Sequence, residues 1–137
     1  MRLEEHARRA VDWMFTDGSL ERHGYLVYSP DAGRLVNQNW KDSAGAICFA
    51  DGTAAAGPVA VAEAQGYAYD ALVRTARPAD ELWKDEPYAH RLRAAAARLR
   101  SRFTTGFCAT TSTAPTASPP AAAAWRCAAT PCAPSDH

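Results

Sequence analysis

The chain lacks an excess of either charge. Its 15 Lys and Arg are balanced by 15 Asp and Glu, for a formal net charge of +0 over 137 residues, so no overall field draws it to nucleic acid or to a membrane. It also lacks any apolar run near the ~20 residues that a membrane span needs. The N-terminus, MRLEEHARRA, is charged and helical in pattern, unlike the apolar core of a secretory signal. The cytoplasm is the location expected from this. Cysteine is sparse and unevenly placed: of the 4 present, Cys108, Cys127 and Cys132 lie in the last 30 residues, which is no disulfide framework, and Cys127 and Cys132 have no companion ligands for zinc. His6, His23, His90 and His137 are scattered and make no i, i+4 pair. There is no phosphate-binding loop and no nucleophile elbow, and the residues after Asp17-Gly18 lack the full calcium-loop pattern. No metal and no cofactor are expected.

What is present reads as mainly helical. Hydrophobic residues make up 47% of the chain, much of it alanine, which buries little surface per residue. The length allows one domain or a piece of a larger one. Residues 2–17 have the spacing of an amphipathic helix, with Leu3, Ala7, Ala10, Val11 and Met14 on one stripe and Asp17-Gly18 as its stop. Tyr25 to Tyr28 is a short β-like run followed by the turn SPDAGR, a pattern of a short β-hairpin. Residues 37–56 are irregular. Gly57-Pro58 predicts the opening of a second helix, since Pro is tolerated where an N–H would be unpaired. This helix is expected to run to about Ala76 with Ala60, Ala64, Tyr67, Ala71 and Leu72 as its stripe. RPADELWKDEP is a break. From Tyr88 a third helix carries Leu92, Ala96, Leu99 and Phe103 on one face. It also carries Arg91, Arg93, Arg98, Arg100 and Arg102. Such a series can meet phosphates, but it also suits a solvated outer helix face, and the balanced charge favours the second reading, so no nucleic-acid partner is expected.

Composition changes abruptly after Phe107. Of the 30 residues from Cys108 to His137, 23 are Ala, Thr, Pro or Ser. Two accounts fit the segment 108–137. It is a low-complexity, disordered tail, or it is the out-of-frame reading of a GC-rich gene, because all four residue types are encoded by codons with C in the middle. In another frame Ala109 to Thr113 would read as two polar residues, an apolar one and a polar one, an ordinary folded pattern.

The segment LVNQNWKDSAGAI, Leu35 to Ile47, is unusual for a connection because it sets Trp40, Lys41 and Asp42 side by side. An indole stacks on the flat C–H face of a sugar ring, and Asn37, Gln38, Asn39 and Ser43 can pair with hydroxyls. A carboxyl beside an indole can hold its proton through desolvation and donate it to a glycosidic oxygen. Cleavage then needs a second carboxylate, as base or nucleophile. Equally, Asp-Ser in a loop is a common helix cap or Asx-turn, with Trp40 filling a core. Glu63 is open to two accounts as well: it shares a helix face with Tyr67 and Asp70, and an acid in a first turn is favoured by the helix dipole alone. Gly66, inside a helix, costs roughly 1 kcal/mol against Ala; a close helix–helix or helix–sugar approach would account for it, as would drift.

GRLVNQNWKDSAGAI followed by ADGTAAAGPVAVAEAQGYAYDALVRTA resembles bacterial proteins of the amylo-α-1,6-glucosidase (glycogen debranching) type, within the glycoside hydrolases built on an (α/α)6 barrel. The shared pattern is Trp40-Lys41-Asp42-Ser43, the turn Asp51-Gly52, then Gly57-Pro58 and Glu63-x-Gln65-Gly66-Tyr67. The preceding AVDWMFTDG and HGYLVYS are similar to the helix and hairpin leading into that loop. The likeness covers about residues 1–107 and is specific over 34–72. It implies a mainly α fold, a fragment of an (α/α)6 barrel spanning 1–107. It also implies Asp42 as general acid and Trp40, Lys41, Asn37, Glu63, Gln65 and Tyr67 as substrate-binding residues. The implied partner is an α-glucan or oligosaccharide, with self-association through exposed barrel-helix faces. Two departures stand out. Ala44, Gly45 and Ala46 replace a further acidic residue, and the family's general base lies in barrel helices that follow this region. A chain with one catalytic carboxylate is expected to hydrolyse nothing alone. The rival expectation is a non-catalytic helical module that binds another chain.

Overall fold

The computed structural model describes residues 3–29, 31, 33, 37, 38, 47, 52, 53 and 57–106. Four helices follow one another: α1 (Leu3–Phe15), α2 (Leu20–His23), α3 (Ala62–Glu81) and α4 (Glu86–Gly106). The architecture is mainly α, in agreement with the helical periodicity. None of these helices is long and apolar enough to cross a membrane.

The central unit is the antiparallel pair α3–α4, joined by the short turn Leu82–Asp85. Asp85 starts α4: its carboxylate accepts the backbone N–H of Tyr88 at 3.1 Å, and its C=O accepts the first helical bond, from Ala89, at 3.0 Å. This is an N-cap, and Pro87 falls in the first turn, where a missing donor is harmless. The helix therefore opens two residues before the expected Tyr88. Ala68, Leu72, Ala76 and Ala79 of α3 meet Ala89, Leu92, Ala95, Ala96 and Leu99 of α4, and all are buried. Leu72 and Leu92 are wholly enclosed. The many alanines leave little side chain between the two axes, so the helices pack closely.

The seam continues past the expected end of the second helix at Ala76. Pro78 sits inside α3. The carbonyl it leaves without a donor belongs to Arg74, on the exposed side, where water can replace the lost bond. Burial of Ala76 and Ala79 on the opposite side sustains the helix through the proline. At its other end α3 begins at Ala62 rather than at Gly57-Pro58. Val59 is held in an isolated antiparallel bridge with Tyr28, through Val59 N–H to Tyr28 C=O at 2.7 Å and the reverse bond at 3.1 Å. That bridge also corrects the hairpin expectation. The β-like run Tyr25–Tyr28 pairs with the chain entering α3, and no hairpin is seen among the described residues.

α1 adds Val11, Met14 and Phe15 to the core, joined by Leu20 and Tyr25. Leu3, at the head of the expected stripe, is instead 84% exposed. Arg8 fixes α1 to the α3–α4 turn. Its guanidinium lies 4.8 Å from the centre of Trp83 and 4.5 Å from that of Tyr88 and pairs with Glu4 at 3.0 Å and Asp85 at 2.8 Å. A cation between two aromatic faces and two carboxylates is a stable junction. Burial pushes the Tyr88 phenol up from its ordinary pKa, and the negative charge of Asp12 adds to the effect. At the far end, Tyr25 Oη donates to the C=O of Arg102 at 2.8 Å. Arg102 Nη1 in turn donates to His23 C=O at 3.3 Å.

Candidate functional site

The N-terminal end of α3 gathers part of the expected site. Three contacts build it. The Tyr28–Val59 bridge brings the β-like run against the chain entering α3. The side chain of Gln65 then holds that run: Leu26 N–H donates to Oε1 at 2.8 Å, and Nε2 donates to Leu26 C=O at 2.8 Å and to Val61 C=O at 3.0 Å. Finally Asn37 is buried, with Tyr28 Oη 3.5 Å from its Oδ1, while Gln38 Nε2 reaches Ser29 C=O at 3.4 Å. Asn37 and Gln38, which precede Trp40, thus meet the end of the β-like run. Trp40, Lys41 and Asp42 themselves lie outside the described residues.

Glu63, Gln65 and Tyr67 do not act together on one side. A helix turns ~100° per residue, so residues two apart are on nearly opposite faces. Gln65 is 1% exposed and faces the core, whereas Tyr67 is 76% exposed and faces solvent. Both donors of the Gln65 amide are used within the chain, so its role in the structure is to pin Leu26. Glu63 is half-buried in the first turn of α3, and its Oε1 is buried without a hydrogen-bond partner among the described residues. Of the described residues expected to touch sugar, Gln65 faces the core, Glu63 and Tyr67 share the opposite side of α3, and Asn37 is buried against Tyr28; the structure does not bring them together as one set. Among the described residues no group of three or more His, Cys, Asp or Glu could hold a metal ion.

A second feature had no counterpart in the motif reading. Between α3 and α4 lies a cavity of about 300 Å³ lined by Gln65, Gly66, Tyr69, Leu99, Arg100, Phe103 and Thr104. It continues into a shallower groove of about 500 Å³ that reaches Val73, Arg93 and Ala97. The single sequence signal for it is Gly66. Among the described residues no atom lies within 4 Å of where its Cβ would be, so none of the described helices presses on it. The close helix–helix approach considered for this glycine is absent, and its missing side chain widens the cavity instead.

Compared with protein-family models, with curated proteins and with solved structures, the chain matches none of them. What can be said of its class is that it contains a helical hairpin with an amide-pinned extended segment at one end.

Proposed function

We propose that the chain is part of a glycogen-debranching-type, amylo-α-1,6-glucosidase-like glycoside hydrolase of (α/α)6-barrel architecture, working on α-glucans in the cytoplasm. The motif Trp40-Lys41-Asp42-Ser43 supports this reading, together with Glu63-x-Gln65-Gly66-Tyr67 at its fixed distance downstream. The observation that carries it is the contact of buried Asn37, three residues before Trp40, with the hydroxyl of Tyr28, whose main chain pairs with Val59 ahead of α3. A long antiparallel helix pair is the unit from which such barrels are built. The buried, unpartnered carboxylate oxygen of Glu63 in the first turn of α3 is a group that a sugar hydroxyl could satisfy.

In the mechanism, Trp40 stacks on a glucosyl ring, Asn37, Lys41 and Glu63 pair with its hydroxyls, and Asp42 protonates the bridging oxygen as the glycosidic bond breaks. Water must then be activated from the other face by a second carboxylate. No residue spacing in this chain provides one, so the chain binds glucan without turning it over. Titration of the purified protein with maltotetraose, followed by tryptophan fluorescence, tests the reading. Saturable quenching that Trp40→Ala removes is the expected result, with no glucose released from branched oligosaccharides. If no oligosaccharide perturbs the protein at millimolar concentration, the glucan reading is lost. Glucose release that Asp42→Asn abolishes would overturn the inactive state alone.

A second reading, a non-catalytic helical module that binds another protein chain, is favoured by the open α3–α4 groove. It predicts a folded oligomer on gel filtration and a melting temperature indifferent to oligosaccharide.

A further inference from the structure

We propose that the cavity between α3 and α4 is a binding site for a small amphipathic carboxylate, one with an aromatic or short aliphatic body. The inference does not rest on the glucan reading, since none of its residues belongs to the Trp40 loop. The walls are carbon: the rings of Tyr69 and Phe103 and the side chain of Leu99. Gly66 opens the floor, with nothing within 4 Å of its Cβ position. At about 300 Å³ the cavity holds roughly ten water-sized volumes, the low end of the range for small-molecule sites.

The charge at the rim selects the ligand. Arg74 and Arg77 on α3 are paired with Asp70 and Glu81, and Arg93 on α4 with Asp80. Arg100, on the cavity rim, makes no ion pair or hydrogen bond from its guanidinium among the described residues. Beside it, the Thr104 hydroxyl donates to Arg100 C=O at 3.0 Å, so the guanidinium is the rim's donor for an anion. The Tyr69 hydroxyl has no partner among the described residues. An unpaired guanidinium at the mouth of an apolar cavity complements a carboxylate carried on an apolar body. A glucosyl ring fits poorly, because most of its hydroxyls would face carbon.

The test is a titration of the full chain with sodium 4-phenylbutyrate and, in parallel, with the uncharged 4-phenylbutanol, read by NMR shifts of the Tyr69 and Phe103 rings. The acid is expected to bind saturably and about tenfold more tightly than the alcohol, the size of one charge-assisted hydrogen bond. Arg100→Gln, on the exposed rim, should erase that difference while leaving the circular dichroism unchanged. Gly66→Leu should fill the floor and block both compounds. Equal affinity for acid and alcohol in the wild-type protein would overturn the proposal. So would perturbation of Tyr69 and Phe103 by maltotetraose but not by the acid, or a dimer on gel filtration whose Tyr69 and Phe103 signals the acid cannot shift. Trp40→Ala tests the glucan reading and Arg100→Gln this one, so the two can fail separately.

Discussion

The side-chain amide of Gln65 pairs with both main-chain groups of Leu26, accepting from its N–H and donating to its C=O, each at 2.8 Å. An amide is the one neutral side-chain group that can replace a neighbouring strand in this way. Gln65→Leu keeps the volume but leaves the Leu26 and Val61 groups without their partner. A loss of about 2 kcal/mol is expected, since a buried group left unpaired costs ~1–3 kcal/mol and Leu26 is only half-buried. Urea unfolding measures it. A change under ~0.5 kcal/mol would show that the amide clamp contributes little.

Leu72 and Leu92 are fully enclosed on the α3–α4 seam. Either one replaced by Ala should cost about 2–5 kcal/mol, the transfer loss plus the cavity left between two closely packed helices. Leu82→Ala, at a side chain 75% exposed in the turn, should cost less than ~0.5 kcal/mol. The contrast in urea midpoints between these variants tests whether the seam is the core.

Two glycines should respond in opposite directions. Gly24 has φ 76, the left-handed region, and the guanidinium of Arg102 occupies the space its Cβ would take. Gly24→Ala is expected to destabilise by more than ~1 kcal/mol. Gly66 is helical and unopposed, so Gly66→Ala should stabilise by about 1 kcal/mol. Thermal melting of the two variants side by side gives both signs in one experiment.

Acid should loosen the junction between α1 and the hairpin. The Asp85 carboxyl is held below its ordinary value of 3.8, first by the N–H of Tyr88 and then by the hydrogen bond from Arg8. With a depressed pKa in the folded state, the unfolded chain takes up the proton first. The contribution is therefore complete above about pH 4 and disappears as pH falls through the folded-state value. In Asp85→Asn the fall in stability between about pH 5 and pH 2 should be shallower than in the wild type. Parallel slopes for the two proteins would show that Asp85 plays no part.

Much of the helical frame was legible because its period is local. Val11 and Met14, and Leu92, Ala96 and Leu99, were read as buried from spacing alone, and they are. The errors came where a non-local contact overrode a local signal. Gly57-Pro58 has the chemistry of a helix start, but Val59 is taken by Tyr28 and the helix waits until Ala62. Pro78 has the chemistry of a stop, yet the seam of Ala76 and Ala79 carries the helix past it. Tyr67 was placed on the apolar stripe of α3, whereas the polar Gln65 is the residue turned inward, because only its amide can satisfy Leu26. Of the candidate site, the sequence motifs named Gln65, but its role as a clamp on Leu26 depends on a partner 39 residues away and was not legible in them. Nor was the α3–α4 cavity, as its lining comes from two segments some thirty residues apart and its only local trace is Gly66.

The order in which contacts can close is set by the same layout. The α3–α4 pair needs only the turn Leu82–Asp85 to meet, whereas the Leu26–Gln65 clamp joins residues 39 apart and the Tyr25–Arg102 bond residues 77 apart. Loop-closure entropy rises with that separation. During synthesis, then, α1 can meet α2 at once and α3 as soon as Glu81 has emerged. The bond that ties Tyr25 to Arg102 is left for the last stretch of helix to be made.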